Sequence, residues 1–384
     1  MNRRLTVVLA MACGLMVANL YYSQALIGTI APALALSPRI AGLIVTVTQL
    51  GYGAGLLLIV SLGDIVENRR LILALIAGSA CGLVGILLSQ NAATFLFFSF
   101  LTGLCSVAAQ VMVPLAAHLA PEESRGRVVG NVMGGLLTGI MLARPLASGL
   151  AAFGSWRTIF GVAAVAMVLL GLLLARDLPE RRPTIRMGYG RIIASSIAIL
   201  AHTPAVRRRA VYQIALFGTF NLFWTAVPLL LAQRFGLGEI GIALFALAGA
   251  GGALAAPIAG RLGDRGHIRA GTGIALVGAV LAFLIADVAG SWAILALLVA
   301  AALLLDAATQ VNQVLGQRVI YSIAPDMRAR INASYMTASF IGGATGSALA
   351  PYSLVRGGWS ATTMIGAAIA GAALLFFLTE RTKA

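Results

Sequence analysis

The chain is 384 residues long, 60% hydrophobic and only 10% charged, against roughly 25% charged in an ordinary soluble domain. That composition excludes a soluble globular protein and points to the bilayer. A formal charge of +15 raises nucleic acid as a partner, and the placement of the charges decides against it below.

Apolar stretches of about 20 residues, the length that crosses a bilayer as a helix, recur with short polar breaks. Twelve are predicted, near 6–30, 40–61, 71–89, 93–117, 129–151, 157–175, 210–232, 240–260, 270–288, 292–316, 331–353 and 360–379. They are continuously apolar, unlike the alternating segments of roughly 10 residues that build membrane barrels. The expected fold is an all-α integral membrane protein of twelve transmembrane helices.

The opening "MNRR" and its apolar run have the form of a secretory leader with "SQA" at the cleavage position. The run continues past that point, so residues 1–30 are read as an uncleaved first span. Within it stands "NLYYSQAL", residues 19–26, polar and aromatic where lipid-facing chemistry wants neither. Cys13, Cys81 and Cys105 all fall inside spans, without metal spacing. They read as small apolar packing residues, and neither a metal nor an organic cofactor is expected.

With the N-terminus in the cytoplasm, 22 of the 27 Lys and Arg fall on cytoplasmic segments. Only Arg39, Arg157, Arg234 and Arg356 fall outside, and Arg144 lies within a span. That asymmetry is the positive-inside rule. The basic charge is thus accounted for by topology, no nucleic-acid partner is expected, and both termini face the cytoplasm.

Several phrases occur twice. "NLYYSQAL" from Asn19 is echoed by "NLFWTAVP" from Asn221, "SLGD" ending at Asp64 by "RLGD" ending at Asp264, "APEESRGRVV" from Ala120 by "APDMRARIN" from Ala324, and "GSW" ending at Trp156 by "GGW" ending at Trp359. The offsets all lie between 200 and 204. Four landmarks in one order indicate an internal duplication. Both copies of each Arg-bearing loop must be cytoplasmic, which requires an even number of spans per half. Two pseudo-symmetric six-helix bundles follow, related by an axis along the membrane normal, over residues 1–175 and 210–384. Residues 176–209 between them carry eight Arg and no apolar span and read as a basic cytoplasmic linker, in which "RIIASSIAILA" has the pattern of a helix on the membrane surface.

Twelve spans in two halves, a basic central loop and a "GxLxDRxG"-like loop after the second span of a half resemble the major facilitator superfamily of secondary transporters, across the whole chain. "GRLGDRGHIR" places Gly260, Asp264, Arg265 and Gly266 in the motif roles. The resemblance implies that Asp264 caps a neighbouring helix and pairs with an Arg to steady one conformation. The first-half copy, "VSLGDIVENRR", keeps Asp64, Arg69 and Arg70 but has Val60, Ile65 and Glu67 at the other motif positions. Ser99 stands where many proton-coupled members carry Arg, and Arg144 precedes Pro145 where the antiporter motif has Gly. "NLYYSQAL" looks like the first-span "NLYYNQPLL" of a bacterial group of exporters whose substrates are largely unassigned, which implies a cytoplasmic (inner) membrane location and points to efflux.

A charge at mid-bilayer costs about 2.5–3.5 kcal/mol on the insertion scale, so charges inside spans identify function. Asp306, 14 residues after Trp292 and 12 before Arg318, is the one carboxylate expected near the midplane. Gln310 and Gln313 share its helix face at spacings of four and three, with Asn312 off that face. Arg144, 15 residues into the fifth span, lies at about the same depth. In the resembled fold the fifth span borders the other half and the tenth lines the central cavity, so the two charges are expected near one another. Parting them would leave Asp306 to be neutralised by a proton. A fixed structural pair and an anchor for an anionic substrate remain open for Arg144, and a polar seam between helices for the tenth-span face.

A cavity between related halves needs equivalent helices from each. Asn19 and Tyr22 on the first span, and the stripe Gln213, Phe217, Asn221 and Trp224 on the seventh, are the expected wall, with Gln49 and Gln110 adding to it and Tyr335 nearer the cytoplasmic gate. Gln24, rotated about 140° from Asn19 on an ideal helix, is a weaker candidate. Amides orient a ligand while aromatics bury its apolar body. The expected function is secondary transport of a small organic molecule, driven by the proton gradient, as a monomer in lipid. Proton-exchange efflux stands first and proton-coupled import or facilitation, with an organic anion among the substrates, second. An intramembrane enzyme is disfavoured by the lack of a cluster of acids, His or metal ligands, and a channel by the lack of a ring of pore charges.

Overall fold

The computed structural model of the chain describes residues 3–182, 188–323 and 327–380. Residues 183–187 of the linker, Ala324 to Asp326 of the second Arg-bearing loop phrase, and the extreme terminal residues lie outside the described residues.

All regular structure among the described residues is helical. Among the described residues, nine helices are long and apolar enough to cross a membrane. The longest, Arg328–Leu378, breaks at Gly358 (φ 68°) into the eleventh and twelfth spans, in a left-handed conformation that glycine adopts without steric cost. The first span is assembled from Arg3–Ala18, Tyr22–Ala25 and Ile27–Ala33, and the eighth from Glu239–Gly249, a 3₁₀ turn at Ala250–Leu254, and Ala255–Asp264. Twelve spans result. The others are Leu43–Leu58, Asn68–Leu88, Ala92–Ser106 with Ala108–Leu119, Arg125–Ala152, Arg157–Asp177, Pro204–Arg234, Ile268–Ser291 and Leu295–Ile323.

Local chemistry sets several ends. The Glu67 carboxylate accepts the Arg69 and Arg70 backbone N–H groups (2.7 and 2.9 Å) and starts the third span, while Asn91 accepts from Thr94 N–H (2.9 Å) before the fourth; both are N-caps that satisfy donors the helix leaves free. Pro204 occupies the first turn of the seventh span, where its missing N–H costs nothing. That helix therefore begins six residues before the apolar run at 210 and takes in Arg207, Arg208 and Arg209, because hydropathy reports the apolar core of a helix and not its polar ends. The linker forms a helix, Tyr189–His202, whose Tyr189 hydroxyl donates to the Leu58 carbonyl (2.8 Å).

Large apolar side chains such as Leu88, Phe97, Leu172, Ile274 and Met364 point outward and stay exposed, the surface a lipid phase covers. Because lipid is as apolar as leucine, helices in a membrane associate by close packing and hydrogen bonds, with small residues at the contact. Within the first half, a Cβ on Gly139 would collide with the Gly14 backbone; within the second, one on Gly346 would collide with the Gly218 backbone. The first span thus crosses the fifth as the seventh crosses the eleventh, at glycines in both halves.

Between the halves, the second span meets the eleventh. Thr46 Oγ1 reaches the Ala344 carbonyl (3.2 Å) and the Ser347 hydroxyl (2.9 Å), and a Cβ on Gly42 would strike the Ser347 backbone. The broken first span meets the seventh and the fifth packs on the eighth. The seventh span runs through the middle of these contacts, and every residue from Ala215 to Pro228 is buried.

Candidate functional site

A cavity of about 590 Å³ lies between the halves. Its deep end holds Tyr21, Arg144, Phe220 and Asp306, and its rim, toward the Arg-bearing loops, holds Val60, Val129, Tyr321 and Asn332. Beyond the deep end, hydrogen bonds join the two halves: Gln24 Nε2 donates to Asn221 Oδ1 (3.3 Å) and Thr225 Oγ1 (3.2 Å), and Gln49 Nε2 donates to Asn221 Oδ1 (3.1 Å).

Asp306 and Arg144, 6% and 3% exposed, lie side by side at this deep end without forming an ion pair within 4.0 Å. They share one indole instead. Trp224 Nε1 donates to Asp306 Oδ1 (2.7 Å), and the Arg144 guanidinium lies 4.5 Å from the centre of a Trp224 ring. Tyr21 and Phe220 stand 4.9 and 5.1 Å from the same guanidinium, within the range of cation–π attraction. Gln24 Oε1 accepts from Arg144 Nε (2.9 Å). Arg144 Nη2 is buried with no hydrogen-bond partner.

The tenth span carries Asp306, Thr309, Gln310 and Gln313 onto the cavity wall together, as the helical spacing predicts. Asp306 is held at its depth by the broken eighth span: a Cβ on Gly252 would lie 2.5 Å from Asp306 Cβ, so the 3₁₀ turn and its glycine let the two helices meet there. Asn312, off that face, donates to Gln213 Oε1 (2.7 Å), and Gln213 Nε2 reaches Gln313 Oε1 (3.4 Å). From the seventh span Gln213 and Phe217 line the cavity, while Asn221 and Trp224 continue the stripe into the closed layer beyond. Gln110 lines the wall and donates to the Tyr52 hydroxyl (3.1 Å). Gln49 does not reach the cavity; it lies in the closed layer with Asn221.

Asn19 and Tyr22 are corrected by the structure. Neither lines the cavity. Asn19 Nδ2 turns into its own half, toward the Ser79 hydroxyl (3.2 Å) and Met167 sulfur (3.8 Å), and Tyr22 packs edge-on against Phe160, 6.4 Å between ring centres. Tyr21 and Gln24 take the central positions. The helix is interrupted at residues 19–21, so angles counted at 100° per residue from Asn19 do not carry across the break. The seventh span has no such break, and there the periodicity holds. Apart from the phrase itself, no sequence signal separates Tyr21 from Tyr22. Tyr52, Phe220 and Phe340, also on the wall, carry no signal beyond being aromatic in a span.

At the loop end, Asp264 pairs with Arg318 Nη1 at 2.6 Å, a half-exposed pair of small energetic weight. Gly266, at φ 79°, makes the turn that follows Arg265, the residue closing the helix that contains Gly260. In the first half Asp64 ends a 3₁₀ turn, Arg69 Nη2 donates to the Ala175 carbonyl and its Nη1 lies 4.0 Å from Glu180, and Arg70 Nε lies 3.9 Å from Glu67. Tyr335 is buried, its hydroxyl beside Gly316.

The solved structure of a D-xylose-proton symporter superposes with a TM-score of 0.79 over 98% of this chain and 97% of that one, at 15% identity. The human organic anion transporter MFSD10 (TETRAN) superposes at 0.69 over 98% and 100%, at 19% identity. At such identities the likeness is one of fold. Among sequences, the chain is 43% identical to the "Uncharacterized transporter YgaY" of Escherichia coli O157:H7 over 95% of this chain and 93% of that protein. It is 34% identical to the "Probable transporter SCO4007" of Streptomyces coelicolor (strain ATCC BAA-471 / A3(2) / M145) over 96% and 84%. The family model of the Major Facilitator Superfamily matches residues 7–221 and 209–384, and with twelve spans in two bundles about a central cavity, the chain belongs to that superfamily of membrane transporters.

Proposed function

We propose that this transporter moves a small organic molecule by alternating access, coupled to protons at Asp306. One observation carries the coupling: a buried carboxylate on the cavity wall that accepts from Trp224 beside a guanidinium with which it forms no ion pair. Of the two charges only the carboxylate can be neutralised by a proton, because the guanidinium is already protonated and stays so. The cavity lies between the halves, its rim toward the Arg-bearing loops, and hydrogen bonds shut the opposite end, the arrangement that rocking of two bundles about a fixed site requires.

Chain orientation follows from the positive-inside asymmetry, with both termini and the linker between Asp177 and Pro204 cytoplasmic, the membrane a bacterial inner membrane, and the transporter a monomer. Likeness of the first span to exporters supports efflux in exchange for protons. The unpartnered guanidinium edge favours a second reading, in which solute and proton travel together.

In proteoliposomes with a trapped pH dye, a transported compound added to a panel-screened preparation produces proton flux, and Asp306→Asn abolishes it. Compound-dependent proton flux that survives in Asp306→Asn would falsify the assignment.

A further inference from the structure

Three aromatic rings lie 4.5–5.1 Å from the Arg144 guanidinium, and Gln24 takes its Nε. What is left is the Nη edge, where Nη2 is buried and unpartnered at the deep end of the cavity. That edge is the fork that receives a carboxylate, and a buried donor of this kind without a partner is rare in folded proteins. Asp306 is the carboxylate at hand, and it turns to Trp224 instead. Between the amides of Gln110, Gln213 and Gln310, the wall offers Val113, Leu136, Phe217 and Phe340, apolar surface that suits a hydrocarbon or aromatic body.

Charge then constrains the cycle. Arg144 is cationic at every accessible pH, and a net charge sealed in a dry interior is the costly state. The groups facing Asp306 are few. Arg144 comes from the fifth span and Tyr21 from the first, both in its electrostatic field, with Trp224 from the seventh. Gly252 is the eighth span's contact and Gly278, against Ala308, the ninth's, neither with a titratable side chain, and the eleventh brings Tyr335 only at Gly316, ten residues along.

With Asp306 ionised the empty site is neutral. An anion makes it negative, and one proton on Asp306 restores neutrality. A cation beside the ionised pair leaves a positive charge, and so does a protonated empty site, which any exchange of solute for proton must pass through. A neutral solute binding alone would also keep both closed states neutral, but without coupling; among proton-coupled cycles only joint binding of an anion and a proton does so.

We propose that the site takes a small organic monoanion with an apolar body, held by Arg144 together with one proton on Asp306, so that anion and proton cross in the same direction. The proton comes from solvent onto the Asp306 carboxylate and no covalent bond changes. This inference rests on the proton coupling proposed above and names its substrate class and sign.

The test is calorimetric titration of the purified protein between pH 6 and 8 with 3-phenylpropanoate, its amide, its amine and acetate, with proton uptake followed in weak buffer. Phenylpropanoate is expected to bind at least about tenfold tighter than the amide or amine, as a charge-assisted contact exceeds a neutral one, and tighter than acetate, which lacks the body. Its affinity should rise as pH falls, by up to about tenfold per pH unit, with about one proton taken up per anion. Asp306→Asn should keep the anion preference and lose the pH dependence; Arg144→Gln should lose the preference, and if that variant does not fold, the first two comparisons decide. Equal or tighter binding of the amide or amine, or binding by none of the four, overturns the anion assignment, and leaves coupling standing wherever Asp306→Asn still abolishes flux. Anion binding without proton uptake overturns joint binding and the coupling reading with it, while the anion-binding role of Arg144 survives.

Discussion

Asn221 is the acceptor that fastens the closed end, and replacing it with Leu, which keeps the branch at Cγ and is no smaller, removes that role without opening a void. Its Oδ1 receives Gln24 Nε2 at 3.3 Å and Gln49 Nε2 at 3.1 Å. Gln24 Nε2 keeps Thr225 at 3.2 Å and so loses one of its two acceptors, about 0.5–1.5 kcal/mol. Gln49 is 0% exposed, has no partner for its Oε1 and loses its only donor bond, a buried unsatisfied group costing about 1–3 kcal/mol. When the halves part at this end, water hydrates both amides, so the cost of roughly 1.5–4.5 kcal/mol falls on the closed state alone. At 1.4 kcal/mol per factor of ten this moves the closing equilibrium by roughly 10- to 1,600-fold. Spin labels at Arg39 and Arg234, on opposite halves at that end, in a background with Cys13, Cys81 and Cys105 replaced by Ser, report the separation by pulsed dipolar spectroscopy. Asn221→Leu should raise a longer-distance population. An unchanged distance distribution would refute the assignment of these amides as the latch.

Gly346→Ala places a methyl into the Gly218 backbone, and overpacking of this kind costs roughly 1–3 kcal/mol; thermal unfolding in detergent should show a lowered Tm, whereas Gly126→Ala, with nothing within 4 Å of its Cβ, should leave Tm unchanged or raised. Equal behaviour of the two variants would contradict close glycine packing between the seventh and eleventh spans. At Glu67, desolvation pushes the carboxyl up, but the backbone N–H groups of Arg70, Arg69 and Arg181 and the Arg70 charge outweigh it and hold the group below its ordinary value. Its capping contribution is therefore complete above the ordinary glutamate range and is lost as pH falls through the lowered value. Hydrogen exchange should find the Arg69 and Arg70 amides protected at pH 5 and losing protection at lower pH, with Glu67→Gln removing the pH dependence; protection flat across that range in the native chain would argue against the cap.

The number of spans, the two-bundle design and the nearness of Asp306 to Arg144 were all legible in the sequence. The reason is the solvent: in hydrocarbon every apolar run and every charge carries a large transfer energy, so one-dimensional hydropathy already reports three-dimensional depth. Helical periodicity added the seventh-span stripe and the tenth-span face, because Pro204–Arg234 and Leu295–Ile323 are continuous helices. Which side of the first span faces the centre was not legible. The break at residues 19–21 resets the rotation of everything after it, and the segment Tyr22–Ala25 that follows packs against the fifth and seventh spans. Nor does any spacing in the chain tell that Arg144 and Asp306 would share Trp224 in place of pairing, or that Gln24 would bridge Arg144 to Asn221. Those relations join residues 80 to 197 positions apart, and only the packing of the spans, within each half and between the two, decides them.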